Sequence, residues 1–394
     1  MPSEADTPAA VRTIPLTVPQ LGGNEWRYVK ESLDTNWVSS AGPFVSRFEQ
    51  MIGRYLGLRD GVATASGTAA LHIALLVAGI KPDEEVLVST LTFVAPANAI
   101  RYVGAWPVLV DSEPSHWQMD VNRIADFLGS QCHFAEGRTI NKLTGRRVAG
   151  VIPVHILGHP VDMEPLLELA HQYSLVVIED ASESLGARYK GRLLGTLGDC
   201  ACFSFNGNKI LTTGGGGMFV SQKEEWCRRA RYLSTQAKDD AIEYIHNEIG
   251  YNYRLTNLQA ALGCAQFEHL PDFIIAKRKI AEAYRTNLGS IAGVKTVGES
   301  ADAYSTFWLF TILIDETVTG SSSRLLLSKL SEVGVESRPL WQPVHLNQCH
   351  RTCQVLGHQV SEQLHRQALS LPSSVGLDGA DIERICDCIK HYLA

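Results

Sequence analysis

Residues 202–217 read CFSFNGNKILTTGGGG. An apolar, strand-like run reaches the polar turn Asn206-Gly207-Asn208, a single lysine follows at 209, and four consecutive glycines close the stretch. A lysine on a solvated loop is the plain reading of such a position. The glycines set against it a backbone stripped of side chains just after one amine at the end of a strand, as close packing around a bound group requires. Outward from this point, the chain from about residue 60 to residue 221 alternates short β-branched runs with helical segments. The candidate strands are GVATA, EVLVS, PVLVD, VAGVIPVH, SLVVIED, ACFSF and GMFVS. This alternation predicts an α/β fold whose central sheet is mostly parallel and flanked by crossover helices. The strands are too apolar to be half-exposed, so both faces of the sheet are expected to be covered. TAALHIALLVAG is apolar around most of a helical circumference and predicts a buried helix, while Asp162 is placed to cap a helix through PLLELAHQY.

Beyond residue 255 the character changes. Amphipathic segments such as NLQAALGCAQFEHL and IIAKRKIAEAYRTNL lead into FWLFTILI and the turn TGSSS. This predicts a large domain over 1–255 and a smaller C-terminal α+β domain over 256–394.

The 394 residues are enough for such a pair, and 45% apolar with 20% charged residues is ordinary for a packed chain. A net charge of −7 without a clustered Lys/Arg excess argues against a nucleic-acid surface. The nine cysteines form no C-x-x-C pair and read as reduced thiols, so a cytoplasmic location is expected. MPSEADTPAAVRT has neither the basic start nor the apolar run of an export signal. The most apolar stretch, VLVSTLTFVAPANAI, is interrupted by polar residues and proline before reaching the roughly 20 apolar residues of a membrane span.

Ligands of open α/β sheets sit beyond the carboxyl ends of the strands. The residues there are Ser66-Gly67-Thr68-Ala69, Thr92-Phe93, His155, Asp180 with Glu183, and Ser204 with Lys209. ASGTAALH offers small residues and hydroxyls at a helix start, either an ordinary strand-to-helix turn or an anion cradle. Phe93 fits a core position or a stacking surface, and Trp308 and Trp341 fit core or pocket wall. Asp180, at the tip of a buried strand, needs a cationic partner. A pyridinium nitrogen would supply it, and Lys209 would supply the amine that an aldehyde cofactor bonds. Pyridoxal 5′-phosphate needs such a lysine, such an acid, an aromatic against its ring and an anion site. Other chemistries fit poorly. GNKILTTGGGG is not a P-loop, because its glycines follow the lysine. His155 and His159 are split by Gly158 and flanked by Pro160, so they do not form a helical metal pair, and no metal site is expected.

The segments ASGTAALH, TFVAPANAI, VHILGHPVDM, IEDASESLGA, SFNGNKILTTGGGGMFV and GYNYRLTNLQAALG resemble the DegT/DnrJ/EryC1/StrS family. These are pyridoxal-phosphate-dependent nucleotide-sugar aminotransferases of fold type I, the aspartate aminotransferase-like fold. The resemblance covers nearly the whole chain. It implies that Lys209 bonds the cofactor, Asp180 pairs with the ring nitrogen, Glu183 lies near the ring hydroxyl and Phe93 stacks on the ring. It assigns the phosphate to Thr68, Ala69 and Ser204, with Gly67 keeping the turn tight. Asn252 would reach the phosphate of a neighbouring subunit, which implies a homodimer with shared sites. Relatives often carry Gln and His where this chain has Glu183 and Asn206. Lys209 separates it from the branch that dehydrates sugars with a histidine at that position. By the same resemblance, substrate contacts gather in NWVSSAG and SRPLWQPVHL, which gives Trp37, Ser39, Arg338, Trp341 and His345. The implied reaction moves an amino group from L-glutamate to a nucleotide-linked 4-keto-6-deoxy sugar. The wording of the motifs is most like members acting on UDP-linked 2-acetamido sugars of the bacillosamine or legionaminic type. A GDP- or dTDP-linked sugar, or a silent regulatory protein that binds cofactor or nucleotide sugar, are the alternatives.

Overall fold

The computed structural model describes residues 12–240 and 242–393. The N-terminal stretch read above for an export signal lies almost wholly outside the described residues. Seven strands make the central sheet: β1 (Val62–Thr64), β2 (Glu85–Ser89), β3 (Trp106–Val110), β4 (Arg147–Ile152), β5 (Val176–Asp180), β6 (Cys200–Ser204) and β7 (Gly217–Val220). Their order is β1-β7-β6-β5-β4-β2-β3. β6, β5, β4, β2 and β3 run parallel, while β7 is antiparallel to both its neighbours. An eighth strand, Gln354–Leu356, comes from the C-terminal half and adds parallel to the outer edge of β3. A hairpin, Cys132–Ala135 with Arg138–Asn141, attaches beside β4.

The sheet is covered on both faces, as its apolar strands demand. Along β2, Val86 and Val88 enter the core on one side and Leu87 the core on the other, the alternation expected of a pleated strand. On the first side lie α3 (Gly67–Val77) and α4 (Ala95–Tyr102). Leu71, Ile73, Ala74 and Leu75 of α3 are all buried, and each large side chain so buried contributes about 1.5–3 kcal/mol. Helices α1 (Glu25–Asp34) and α2 (Pro43–Leu56) precede the sheet. α2 starts at Pro43, whose missing N–H costs nothing there, and ends at Gly57 in the left-handed region, φ 71°.

The helix Asn257–Phe267 opens with a capping box between Thr256 and Gln259. Its Ala260, Ala261, Cys264 and Ala265 share one core with Phe44, Phe48 and Ile52 of α2. The next helix, Leu270–Leu288, begins against that core and ends in another, built by Ile280, Ala281, Tyr284 and Leu288 with the C-terminal elements. Those elements are an antiparallel sheet of Val294–Thr296, Thr311–Ile314 and Ala368–Ser370, with the helices Ser323–Glu332 and Gly379–Leu393.

One local expectation is revised. Asp162 stands at the N-cap of the helix Met163–Gln172 but makes no side-chain cap bond; its carboxylate accepts the Tyr189 hydroxyl at 2.6 Å instead. Within FWLFTILI the strand covers Thr311–Ile314, after a turn at Phe307, which adopts φ 45°. All nine cysteines are unpaired. Among the described residues, no helix is long and apolar enough to cross a membrane.

Candidate active site

The parallel strands end at a cavity of about 270 Å³, in the crevice where the chain order reverses on either side of β2 and β4. Asp180 ends β5 and Ser204 ends β6. Thr92 and Phe93 follow β2, and Trp308 and Trp341 reach the cavity from the C-terminal half.

One wall is built for an anion. Ser66 caps α3 by accepting the Ala69 N–H at 3.0 Å, and the Ala70 N–H bonds the Ser66 carbonyl. The N–H groups of Gly67 and Thr68 are left without a partner among the described residues, at the positive end of an 11-residue helix. Ser204 stands against them: a Cβ on Gly67 would come within 2.8 Å of the Ser204 Cβ. Beneath this turn, a Cβ on Gly217 would meet the Ser66 carbonyl carbon at 2.5 Å and the Gly67 nitrogen at 2.6 Å. The glycine after the lysine loop therefore lets β7 pass under the cradle.

The opposite wall carries the titratable groups. The Asp180 carboxylate is buried and accepts the Ser182 N–H at 3.1 Å. Burial pushes its pKa up, against the Ser182 bonds and the positive charge of Lys209. Glu183 accepts the Leu157 N–H at 2.8 Å and lies 3.4 Å from Lys209 Nζ. Burial raises its pKa as well, with Lys209 as the leading opposing influence. Lys209 Nζ is also 4.1 Å from the centre of the Trp308 ring, whose indole N–H donates to the Asn208 carbonyl at 2.6 Å. Phe93 is 58% exposed although it borders the cavity, so it is not a core residue.

Asp180 is steadied from behind. The His155 N–H donates to the Asp180 carbonyl at 3.1 Å. The His155 ring accepts the Val161 N–H at Nδ1 and faces Glu179 through Nε2 at 3.2 Å. Burial raises Glu179, but its bond to His155 and the N–H groups of Gly198 and Gly195 outweigh this and hold it below the ordinary value. Neighbouring carboxylates on β5 thus have opposite fates: Glu179 is fully satisfied on the inner face, and Asp180 is left open to the cavity.

Of the residues expected from the sequence, Gly67, Thr68, Phe93, Asp180, Glu183, Ser204, Lys209 and Trp341 meet in this one cavity. Ala69 does not, since its N–H is used by the Ser66 cap. Trp37, Ser39, Asn252 and Arg338 are exposed outside the lining. The segment holding Trp37 and Ser39 is anchored elsewhere, its carbonyls accepting from the Asn257 side chain and main chain. Asn252 bridges to Thr235. Arg338 donates to the Ser337 carbonyl and pairs with Ser370. His345 is held away by Thr90 and Glu362. Sequence reasoning missed Ser182 and Asn208 and left Trp308 undecided; the polar FNGN turn was the available signal for Asn208.

Across known proteins, residues 19–390 match the description of the DegT/DnrJ/EryC1/StrS aminotransferase family. The chain belongs to that family. A GDP-perosamine synthase of Escherichia coli O157:H7 is 38% identical, the alignment covering 97% of this chain and 99% of the relative. A GDP-perosamine synthase of Caulobacter vibrioides is 36% identical over 96% and 98% of the two chains. A DegT/DnrJ/EryC1/StrS aminotransferase from Brucella abortus superposes with a TM-score of 0.85 at 27% identity, covering 94% of this chain and 95% of that one. As a DegT/DnrJ/EryC1/StrS member the protein is a pyridoxal-phosphate-dependent sugar aminotransferase acting on nucleotide sugars, with the fold type I architecture.

The cavity suits that cofactor on its own evidence. It has unpartnered N–H groups for a phosphate, a buried carboxylate open to a protonated ring nitrogen, and an amine facing the same space.

Proposed function

We propose that the protein transfers an amino group from L-glutamate to the 4-keto position of a GDP-linked 6-deoxyhexose. The observation that supports the transfer chemistry is the convergence of Lys209, Asp180 and Glu183 on one cavity beside the α3 N-terminus. The GDP-linked acceptor rests on the two relatives named GDP-perosamine synthase. The UDP-linked 2-acetamido acceptor expected from the motif wording becomes the second reading.

Bound pyridoxal phosphate supplies an aldehyde that takes up and hands on an amino group, and a ring that accepts electrons from the reacting carbon. Lys209 would hold the cofactor through its amine, and that amine is the group placed to move the proton at the reacting carbon. Glu183 holds the amine in place before that step. Asp180 keeps the proton on the ring nitrogen. Gly67 and Thr68 with Ser204 hold the phosphate, and Phe93 covers the ring. Trp308 and Trp341 exclude water from the amine.

The exposure of Trp37, Ser39 and Asn252 outside this chain's own cavity supports a homodimer in which they serve the partner's site. Arg338 is exposed and suits the substrate diphosphate.

The direct test assays purified protein against GDP-, UDP- and dTDP-linked 4-keto-6-deoxy sugars with glutamate as donor, scoring the amino sugar formed. Turnover confined to UDP-linked 2-acetamido sugars would replace the GDP reading. Borohydride reduction should leave the cofactor mass on the peptide containing Lys209. Exchange between inactive Lys209→Ala and Asn252→Ala chains should restore activity, because a mixed dimer has one composite site with both residues intact. No recovery after proven exchange, with Asn252→Ala itself inactive, would assign Asn252 to its own chain.

A further inference from the structure

Outside the cavity lining, three donor groups from one short span of the chain, a single turn and the start of the helix after it, converge. His345 lies in the single turn Val344–Leu346, His358 at the N-cap of the helix Gln359–Gln367, and Glu362 one turn into that helix. Their donor atoms all lie within 4.8 Å of one another. Glu362 Oε1 is 3.2 Å from His345 Nε2 and 3.0 Å from His358 Nδ1. Donors bound to zinc at about 2.0–2.1 Å in a tetrahedron stand roughly 3.3–3.4 Å apart, so these two separations already approach a coordination edge.

The back of His345 is also fixed. Its Nδ1 is 2.7 Å from the Thr90 hydroxyl oxygen. A proton on Nδ1 donated to Thr90 leaves the Nε2 lone pair facing the Glu362 side, the outer-shell arrangement that orients metal-bound imidazoles. His358 makes no side-chain bond to its own helix start, and its ring faces Glu362 instead. Arg366 approaches the other carboxylate oxygen, Oε2, at 3.6 Å and leaves Oε1 to the two imidazoles.

We propose that His345, His358 and Glu362 bind one divalent cation of the zinc class, with solvent completing the coordination. Two imidazoles and a carboxylate with one open position form a donor set that zinc accepts. The cation fastens the helix Gln359–Gln367 to the end of β2, two residues before Thr92 at the cavity.

Equilibrium dialysis of the full-length holoenzyme, free of any histidine tag, against Zn²⁺ should find one saturable equivalent per chain. His358→Ala and Glu362→Gln should each weaken it at least about tenfold, and Thr90→Val by about 10–100-fold. Neither His358 nor Glu362 is buried, so these two variants should fold. Cys349→Ser should change nothing, which separates the site from the exposed thiol four residues past His345. Co²⁺ in place of Zn²⁺ should give a visible difference band that the same variants abolish. Lack of saturable Zn²⁺ binding would overturn the site and leave the trio an ion-pair cluster. So would binding that survives His358→Ala and Glu362→Gln but disappears with Cys349→Ser.

Discussion

Lys209 and Lys277 are both withdrawn from solvent and both touch Trp308, one from the cavity and one from behind it. Lys209 lies against the indole face, with the Glu183 carboxylate at 3.4 Å and open space ahead. Lys277 donates to the carbonyl oxygens of Trp308, at 2.9 Å, and of Ser373. No carboxylate pairs with it among the described residues, and burial lowers its pKa from 10.5 to about 7. An amine that must exchange partners is kept beside one carboxylate and a void. An amine that ties two segments together is kept on backbone carbonyls that cannot move away.

The sharpest way to break this division is to exchange the lesions. Lys209→Ala should lower turnover by about 10²–10⁴-fold or more, the scale of a positioned acid–base group, and should abolish the borohydride-fixed cofactor. Lys277→Met should leave that adduct on Lys209. An adduct on Lys277 in the native protein would reverse the two roles.

Asp180→Ala should cost about 10²–10³ in turnover, the scale of removing one preorganised electrostatic group, while the cofactor stays bound. Near-native rates would show that the open carboxylate on β5 does no chemistry.

Gly217→Ala tests the backbone under the anion cradle. Its Cβ would sit 2.5 Å from the Ser66 carbonyl carbon, and overpacking of this kind costs about 1–3 kcal/mol. Gly215→Ala, whose nearest neighbour would be Gln259 Nε2 at 3.6 Å, should be far milder. Equal losses of denaturation midpoint would refute the close-approach account.

The gentlest test concerns pH. The folded-state pKa of Lys277 is depressed, so between about 7 and 10.5 the unfolded chain binds the extra proton. This destabilising contribution is fully present below about pH 7 and fades as pH rises toward 10.5. Within that window it adds a slope of up to about 1.4 kcal/mol per pH unit in favour of folding. Lys277→Met should remove that slope from denaturation curves at several pH values, with turnover changed only severalfold. An unchanged slope would mean that the amine is charged in the folded protein.

The same contrast explains what the sequence disclosed. Asp180 and Ser204 end their strands and Lys209 follows one by a few residues, so short apolar, β-branched runs and a glycine break were enough to place them. Thr68 and Gly67 were visible for the same reason, as a strand-to-helix turn. Trp308 was ambiguous because it meets Lys209 only after about a hundred residues of intervening chain fold. Lys277 reads as one of several charges on an amphipathic helix until the C-terminal segments close over it. His358 and Glu362 carried the four-residue spacing of a helical pair, but their third partner, His345, comes from a separate turn. The segment holding Trp37 and Ser39 has no periodicity to fix where it lands.

The strand Gln354–Leu356 has a bearing on biosynthesis. Because it completes the sheet beside β3, a growing chain that has already made all seven central strands still presents one row of unpaired N–H and C=O groups. That edge stays open until more than nine-tenths of the polypeptide has emerged. The large sheet is therefore finished last at its outer margin, and a nascent chain stalled or cleaved before residue 354 exposes a sticky β3 rather than a sealed half-molecule.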